Sequence, residues 1–485
     1  MPTIWSSIPN IIQTISTQIR PVHRQQFIVH HFRQIALALL LFGVLPNLFA
    51  QSYKLMRFEE DYSILADSTR HGYARIKFSP LTADGKIWLS IGGEARAEYV
   101  DFNNEGWGRL QLGHNNFLLQ RYSLHADIHF GKRLRLFTQV RSALQHGRKN
   151  GSRQIDEDQL NIQNLFIDGT ILQQDNRSLL LRIGRQELDY GSGRLISVGE
   201  GPNARRYFTG AKIAYNVGKV NLEAFAMMAD TIRPGIFDNS PSKQINLWGA
   251  YGKITVPKQA NFDLYYIGIY RDRSIFEEGT SAETRHTIGG RIWKYGGGFI
   301  YNLEGAYQFG SFGKGKISAW TASLDIGYLF EESDLRPSIN LRNDYISGDK
   351  KAGDGNLQTF NPIYPKGGYF GFSPQIGPVN LIDIHPYVTL DLLSNLKFQA
   401  DLVYNWRHSL QDGVYRPSGS FNLAGAASRK RYIGTAYLAN FTYAASKQLS
   451  LVTGIQYFKT GAFIEEIINT PKNGVFFNGR VAFKF

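Results

Sequence analysis

The segment Leu396-Lys-Phe-Gln-Ala-Asp-Leu-Val-Tyr-Asn-Trp-Arg407 decides the fold, because its side chains alternate in character at every step. Every second residue from Leu396 to Trp406 is apolar, and the residues between them are polar except Val403. Successive side chains of a β-strand point to opposite faces, so this period of two predicts a strand with one apolar and one polar face. The segments 318–330 and 475–485 repeat the pattern.

About eighteen segments of this kind follow one another after residue 85, and many are about 10–15 residues long. Strands in globular proteins usually have about 5–6 residues, whereas a tilted strand that crosses a bilayer needs about 9–11. The predicted strands are therefore long enough to span a membrane. Their approximate ranges are 87–102, 117–130, 133–147, 160–172, 178–188, 205–217, 219–230, 244–256, 261–273, 283–295, 298–311, 316–330, 335–347, 383–392, 396–408, 431–444, 449–460 and 474–485.

The connections between these segments alternate in length along nearly the whole chain. Tight turns fall at 131–132, 218–219, 257–260, 296–297, 331–334 and 394–395, and longer stretches fall at 103–116, 148–159, 189–204, 231–243, 348–382, 409–430 and 461–473. Outer-membrane barrels combine short periplasmic turns with longer external loops. We therefore predict an all-β fold, an 18-stranded antiparallel transmembrane β-barrel that occupies residues 85–485.

The start of the 485-residue chain resembles an export signal rather than part of a barrel. An apolar core at 35–45 follows Arg20, Arg24 and Arg33, and the small residue Ala50 closes the segment. This layout predicts a signal peptide over residues 1–50. Residues 51–84 contain no clear barrel strand and are expected to be a periplasmic segment ahead of the barrel. The chain has no run of about 20 apolar residues, which excludes a helical membrane protein.

The polar face of the predicted strands is the expected functional surface, because a barrel of about eighteen strands leaves an aqueous channel unless loops fill it. Strand parity places inward the basic residues Arg96, Arg121, Arg133, Arg135, Arg141, Arg182, Lys212, Arg342, Lys397, Arg407, Arg480 and Lys484. The acids expected on the same face are Glu94, Glu98, Asp127, Glu223, Glu304, Asp325, Asp344 and Asp401.

Basic residues outnumber acidic ones in this set, and arginine dominates. Guanidinium groups bind carboxylates through a planar fork, and rings of basic side chains in a pore favour anions. The hypothesis is a conduit that prefers anions, with the acids keeping solute binding weak. In the alternative interpretation the charges pair across the lumen and brace the barrel.

Features typical of an enzyme are absent from the sequence. It contains no cysteine, no phosphate-binding G-x-x-x-x-G-K-[ST] motif and no G-x-S-x-G nucleophile motif. His125, Asp127 and His129 share one strand face and could hold a metal ion, but ordinary lumen polarity is the expected explanation. No cofactor or metal is predicted. The basic residues are spread over the chain rather than clustered, so nucleic acid is not an expected partner.

Several stretches of the chain, in the same order, resemble the alginate-export family of outer-membrane porins. They are Arg57-Phe-Glu-Glu-Asp-Tyr-Ser63, Leu89-Ser-Ile-Gly-Gly-Glu-Ala-Arg96, the segment from Arg182-Ile-Gly-Arg-Gln-Glu through Arg194-Leu-Ile196, the segment 205–212, and Phe360-Asn-Pro-Ile-Tyr-Pro365. The resemblance implies an 18-stranded monomeric barrel that passes an anionic uronate polymer to the exterior through an arginine-lined lumen with occluding loops.

The resemblance adds two basic residues to the expected substrate path. Arg96, Arg182, Arg185 and Arg194 all fall in the matching blocks. Simple parity points Arg185 outward when Arg182 points inward, unless Gly184 marks a β-bulge.

Together these observations predict a passive, anion-preferring porin in the outer membrane of a Gram-negative bacterium, and its expected solute is an anionic polysaccharide or oligosaccharide. Residues 348–382 and 409–430 are candidate gates. The expected partners are outer-membrane lipid, the barrel assembly machinery and periplasmic polymer-export proteins. The alternatives are a general small-anion diffusion porin and, from other classes, an outer-membrane enzyme or a structural barrel.

Overall fold

The computed structural model describes residues 53–66, 72–368, 371–372 and 375–485. The predicted signal peptide, residues 1–50, lies outside the described residues. A closed barrel of eighteen antiparallel strands dominates the described chain, which confirms the predicted fold class.

Each barrel strand pairs with the strand before it and the strand after it in the chain. A two-residue strand, β1 (Ser79–Pro80), pairs with the first barrel strand, and a small hairpin of β17 (Val414–Tyr415) and β18 (Phe421–Leu423) lies in a loop. The barrel strands are β2 (Ile87–Asn103), β3 (His114–Phe130), β4 (Leu134–His146), β5 (Asp158–Gln174), β6 (Arg177–Gln186), β7 (Phe208–Val217), β8 (Val220–Thr231), β9 (Ser240–Val256), β10 (Ala260–Phe276), β11 (Gly279–Lys294), β12 (Phe299–Phe312), β13 (Gly315–Leu329), β14 (Ser338–Ile346), β15 (Leu381–Leu393), β16 (Leu396–Arg407), β19 (Tyr432–Ala444), β20 (Leu449–Thr460) and β21 (Gly474–Lys484).

The barrel closes where β21 pairs with β2, in a continuous register from Glu94 opposite Lys484 to Asn103 opposite Val475. Closure is required in a bilayer, since the hydrocarbon offers no partner for the N–H and C=O groups of an open edge. The register therefore satisfies the backbone of the first and last barrel strands against each other.

The two ends of the barrel differ in the length of their connections. At the short-turn end the strands are joined by residues 131–133, 175–176, 218–219, 257–259, 295–298, 330–337, 394–395 and 445–448. At the long-loop end the connections are residues 104–113, 147–157, 187–207, 232–239, 347–380, 408–431 and 461–473, together with two tight turns at 277–278 and 313–314. Those two turns depart from the predicted alternation because β10–β13 are long strands that meet directly.

The outer face of the barrel carries exposed apolar and aromatic side chains. Leu264 on β10 is 68% exposed, and Ile339 on β14 is 61% exposed. Aromatic belts flank this apolar surface. On β9–β11 the hydroxyl of Tyr266 lies 2.7 Å from His286 Nδ1, and Trp248 Nε1 donates to the same hydroxyl at 3.3 Å. Such belts mark the membrane interfaces, where rings with one polar atom are favoured.

In the residues that the structure describes, helical structure is confined to short segments. The described chain contains α1 (Tyr73–Lys77), α2 (Ala462–Ile467) and two 3-10 turns at Arg57–Glu59 and Ser63–Leu65. Among the described residues, none of the helices has the length and apolar character needed to cross a membrane.

The N-terminal segment packs inside the barrel, where the sequence led us to expect a separate segment ahead of it. The ring of Phe58 lies 5.7 Å from Phe137 and 5.2 Å from Phe166, both on inner positions of the strands. Arg57 Nη1 donates to the carbonyl of Gly93 at 3.0 Å, and its Nη2 donates to the carbonyl of Phe485 at 2.9 Å. Residues 53–66 therefore fill part of the interior and fasten the first barrel strand to the end of the last one.

The substitution Leu264→Arg tests the lipid-facing assignment. An arginine on the lipid face near the bilayer midplane costs about 2–4 kcal/mol, so the free energy of unfolding in lipid vesicles should fall by that amount. Denaturant titration of the barrel folded into vesicles measures it. Leu110→Arg, in the 104–113 loop, is the control and should change stability little. Equal losses for both variants would contradict the assignment.

Candidate functional site

Two guanidinium groups from β2 and β3, and a third from the 187–207 loop itself, surround a carboxylate that this loop carries into the interior. Arg121 Nη2 lies 2.5 Å from Glu200 Oε1, and Arg121 Nε donates to Glu94 Oε1 at 2.8 Å. Arg96 Nη1 is 3.4 Å from Glu200 Oε1, and Arg205 Nε is 3.4 Å from Glu200 Oε2. We call Glu200 and its three arginines, Arg96, Arg121 and Arg205, the Glu200 cluster.

The Glu200 cluster holds its acid in the charged form. Burial alone raises the pKa of Glu200, but the three guanidinium groups outweigh this effect and keep the pKa well below its usual range. The carboxylate is therefore ionised at neutral pH. Arg96 and Arg121 are each 2% exposed, so this loop acid covers guanidinium groups that would otherwise face the lumen.

A second group of arginines lies nearer the short-turn end. Arg135 donates to Asp127 through Nε at 2.7 Å and through Nη2 at 2.8 Å. Arg182 makes the same two-pronged contact with Asp168, at 2.7 and 2.8 Å, and stacks 3.8 Å from the ring centroid of Phe166. Paired forks of this kind fix both partners in orientation.

Both terminal nitrogens of Arg141 are hydrogen-bonded within the protein. Its Nη2 donates to Asp158 Oδ2 at 2.6 Å, and its Nη1 donates to the carbonyl of Arg205 at 3.0 Å and to Gln163 Oε1 at 3.2 Å. Its side chain is 1% exposed, so no solute reaches it in this conformation.

The two histidines considered for a metal site lie against aromatic rings. His129 stacks on Trp88 with ring centroids 3.9 Å apart, and His125 stacks on Phe137 at 5.5 Å. Asp127, between them in sequence, is engaged by a guanidinium fork. Packing and ion pairing thus account for this trio.

The opposite wall receives the tip of the same 187–207 loop. Arg194 Nη1 forms a short ion pair with Asp344 Oδ1, and its Nε lies 3.7 Å from Glu304 Oε2. The loop therefore crosses the interior from β2 and β3 to β12 and β14. Farther along this wall Asp401 contacts His385 Nε2 at 2.8 Å.

Two further pairs lie on inner positions and are partly open to water. Lys212 Nζ is 3.1 Å from Glu223 Oε2, and Arg342 Nη2 is 2.9 Å from Asp325 Oδ2. Asp325 also accepts the hydroxyl of Tyr387 at 2.9 Å. Each basic group here is about as exposed as its acid.

Three cations on β16 and β21 are more exposed than the acids they contact. Lys397 and Lys484 lie at the short-turn ends of their strands, and Arg480 lies four residues before that end of β21. Arg480 is 2.7 Å from Glu98, and the exposed side-chain fractions are 21% and 6%. Lys484 is 3.9 Å from Glu94, with 32% and 9% exposed. Lys397 is 3.3 Å from Asp391, with 68% and 25% exposed. We call Lys397, Arg480 and Lys484 the short-turn cations.

Arg185 does not belong to the inner face. The register of β6 against β5 and β7 runs through Gly184 without a shift, so no bulge reorients the strand there. Arg185 keeps the outward parity of Ile183, and at the strand end it contacts Asp230 Oδ1 at 2.7 Å. The prediction that Arg133 points into the lumen is also wrong, because Arg133 lies exposed in the 131–133 turn.

Arg407 is inward, but it organises a loop. Its guanidinium donates to five backbone carbonyls, which belong to Leu410, Asp412, Gly425, Ser428 and Lys430. The residue is 0% exposed. It therefore holds the 408–431 loop in place rather than offering its charge to a solute.

Several inner-face charges were not predicted. Arg285 lies 2.5 Å from Glu283, and Arg291 lies 3.1 Å from Asp263, all at inward positions of β10 and β11. The alternation along β10 and β11 gives these four residues inward parity, so the sequence contains the signal that identifies them. Glu200 gave no such signal, since it lies in a loop.

Two long loops, residues 187–207 and 347–380, pair with each other on the long-loop side of the barrel. Ser197 N donates to the carbonyl of Tyr364 at 2.9 Å, and Tyr364 N donates to the carbonyl of Leu195 at 2.8 Å. Beside this pairing, Ile196 is 0% and Ile363 is 1% exposed within a large apolar cluster. The two loops therefore cover part of the interior on the long-loop side.

An apolar outer surface with aromatic belts, a closed barrel of eighteen strands and an interior lined by charged side chains define an outer-membrane porin. The profile of the alginate-export family matches residues 87–476. The chain belongs to this family, and it is a protein of the Gram-negative outer membrane.

Solved porins share the fold at low sequence identity. OccAB1 of Acinetobacter baumannii is 13% identical, with a TM-score of 0.55 over 85% of this chain and 100% of that chain. A BenF-like porin from Pseudomonas fluorescens Pf-5 is 11% identical, with a TM-score of 0.53 over 82% and 98%. OccK2 (OpdF) of Pseudomonas aeruginosa in complex with glucuronate is 14% identical, with a TM-score of 0.52 over 82% and 98%. No curated protein sequence matches the chain.

The substitution Arg407→Lys tests the anchoring of the 408–431 loop. An ammonium group cannot reach five carbonyls, and each lost charged hydrogen bond costs about 1.5–3 kcal/mol. The population of the open loop, and with it the rate of cleavage by proteinase K, should rise about tenfold or more. Mass spectrometry of the fragments locates the cuts. Arg429→Lys, an exposed position in the same loop, should cleave like the wild type; unchanged cleavage of Arg407→Lys would refute the anchor.

Proposed function

We propose that this porin passes an anionic polysaccharide or oligosaccharide of the uronate type through its lumen by passive, electrostatically selective diffusion. Membership of the alginate-export family supports this proposal. A solved porin of the same fold, OccK2, was captured with glucuronate, a single uronate unit. Uronates carry one carboxylate per sugar, and guanidinium and ammonium groups recognise that group.

The observation that carries the proposal is the unequal exposure within the ion pairs of the short-turn end. In all three pairs of the short-turn cations, the basic side chain reaches farther into water than its acid. A passing anion therefore meets positive charge first. The low-dielectric wall of the barrel concentrates this field in the lumen.

Neighbouring acids keep each contact weak. Most inner guanidinium groups are bound to a carboxylate, so a solute carboxylate competes with an internal one rather than entering an empty site. Weak binding at several sites lets a polymer advance unit by unit, as conduction requires binding that is easily reversed. The mechanism needs no covalent step.

The 187–207 loop supplies the gating element of the proposal. Glu200 places a carboxylate among three arginines, where a uronate carboxylate would otherwise bind. Its removal by movement of the loop would expose Arg96 and Arg121 to the solute. The loop acid thus acts as an internal substitute for the solute.

Neutralising the short-turn cations tests the selectivity. The triple variant Lys397→Gln, Arg480→Gln, Lys484→Gln should lower the anion-to-cation permeability ratio about two- to fivefold, because a unit charge a few Å from an ion in water contributes about 1 kcal/mol or less. Reversal potentials in planar bilayers under a salt gradient measure this ratio.

The control for this experiment is Lys132→Gln, an exposed residue of the 131–133 turn. Its permeability ratio should equal that of the wild type. Wild-type preference for cations would contradict anion transport. Anion preference with no block by added polyuronate would instead identify a small-anion diffusion porin.

Glu200→Gln tests the gate. An amide cannot balance three guanidinium groups. Because the Glu200 side chain is 33% exposed, its loss costs less than the about 3–5 kcal/mol of a fully buried ion pair. The docked state of the loop should be less populated, so single-channel conductance should rise and glucuronate oligomers should block the current at lower concentration.

Glu465→Gln is the matched control, since Glu465 is an exposed acid of α2 on another long loop. It should leave conductance and block unchanged. If Glu200→Gln behaves like this control, Glu200 does not stand in for the solute.

A further inference from the structure

Three neighbouring strands place oxygen-bearing side chains side by side on the inner wall. Asp344 on β14 is directly opposite Asp383 on β15, and Asp383 is directly opposite Asn405 on β16. All three residues are 0–1% exposed. Cβ atoms of directly opposite residues lie about 4.5–5.5 Å apart, so the carboxyl groups of Asp344 and Asp383 are neighbours on this face. We call these three residues the oxygen row.

The oxygen row lacks hydrogen-bond donors. Among the described residues, none donates to Asp344 Oδ2, to either carboxylate oxygen of Asp383 or to Asn405 Oδ1. The orientation of the Asn405 amide is fixed, because its Nδ2 donates to the carbonyls of Val403 and Gly434 at 3.1 and 3.3 Å. Buried oxygens without partners are costly, so four of them in one row call for a shared partner.

The local charge indicates the kind of partner. The 187–207 loop brings Arg194 to Asp344 and toward Glu304, while Asp383 forms no ion pair of its own within the described chain. Arg342, on the same face of β14, is itself bound to Asp325 at 2.9 Å. Asp325, Asp344, Asp383 and Glu304 with the two guanidinium groups of Arg194 and Arg342 leave two negative charges. A dication balances this charge.

We propose that the oxygen row is a binding site for a calcium ion, held by Asp344 Oδ2, the Asp383 carboxylate and Asn405 Oδ1. Calcium takes 6–8 oxygen ligands and accepts carboxylate and amide oxygens in irregular geometry, with water completing its shell. A proton shared between the two aspartates would satisfy only two of the four oxygens. The calcium ion satisfies all four.

The site would also fix the docking point of the loop. Asp344 uses its other oxygen to bind Arg194, so an ion on Oδ2 orients the carboxylate for that contact. Bound calcium therefore stabilises the closed arrangement of the 187–207 loop. This inference does not depend on which solute the porin carries.

Calcium binding to the barrel, refolded in detergent without lipopolysaccharide, tests the proposal. Equilibrium dialysis against calcium alone should give one tightly bound ion per wild-type chain. Asp383→Asn should weaken binding at least tenfold, and Asn405→Leu should weaken it as well while keeping both carboxylates. Calcium should raise the unfolding temperature of the wild type relative to EDTA, and this rise should shrink in both variants.

Asp391→Asn is the matched control, because Asp391 is an inner-face acid of the same strand, paired with Lys397. It should bind calcium like the wild type. Undiminished binding in both Asp383→Asn and Asn405→Leu would overturn the proposal. Absence of calcium binding in the wild type, combined with stability that falls as the pH is raised, would also overturn it and assign a shared proton instead.

Discussion

The structure depends on one requirement, that every backbone N–H and C=O within the bilayer find a partner in the protein. Strands meet it only as a closed barrel, and closure gives each strand one face toward lipid and one toward the interior. The alternation from Leu396 to Arg407 follows directly, as do the aromatic belts near Tyr266. The same geometry brings polar side chains from eighteen strands into one confined space, where their charges must be balanced locally.

Ion pairs balance the charges of the interior. Arg121, Arg141 and Arg182 are each held by an aspartate or glutamate, and their burial makes an unpaired charge too costly to keep. Counting inner arginines therefore overstates the positive field that a solute meets. In the proposed mechanism the field that a solute meets depends on which member of a pair reaches water, and in the pairs of Lys397, Arg480 and Lys484 that member is basic.

Parity along a strand is a strong predictor, and it located the barrel strands and most inner charges. It fails where chain geometry or loops decide. Arg185 is not such a failure, because it points outward as simple parity predicts and no bulge forms at Gly184. The family resemblance, not the parity, had placed Arg185 on the substrate path. Arg407 points inward, as parity predicts. Parity does not show that its guanidinium binds backbone carbonyls, because that depends on the course of the 408–431 loop. Glu200 and Phe58 lie in irregular segments, whose path across the interior no periodicity encodes.

The junction of β2 with β21 bears on the route of any cargo. The strands are joined by ten residue pairs and by two ion pairs. Arg57 also donates a hydrogen bond to the carbonyl of Phe485. Parting them would leave Glu94 and Glu98 beside hydrocarbon, which is prohibitive for carboxylates. A sideways exit into the lipid leaflet is thus closed, and traffic through this wall has to run along the barrel axis.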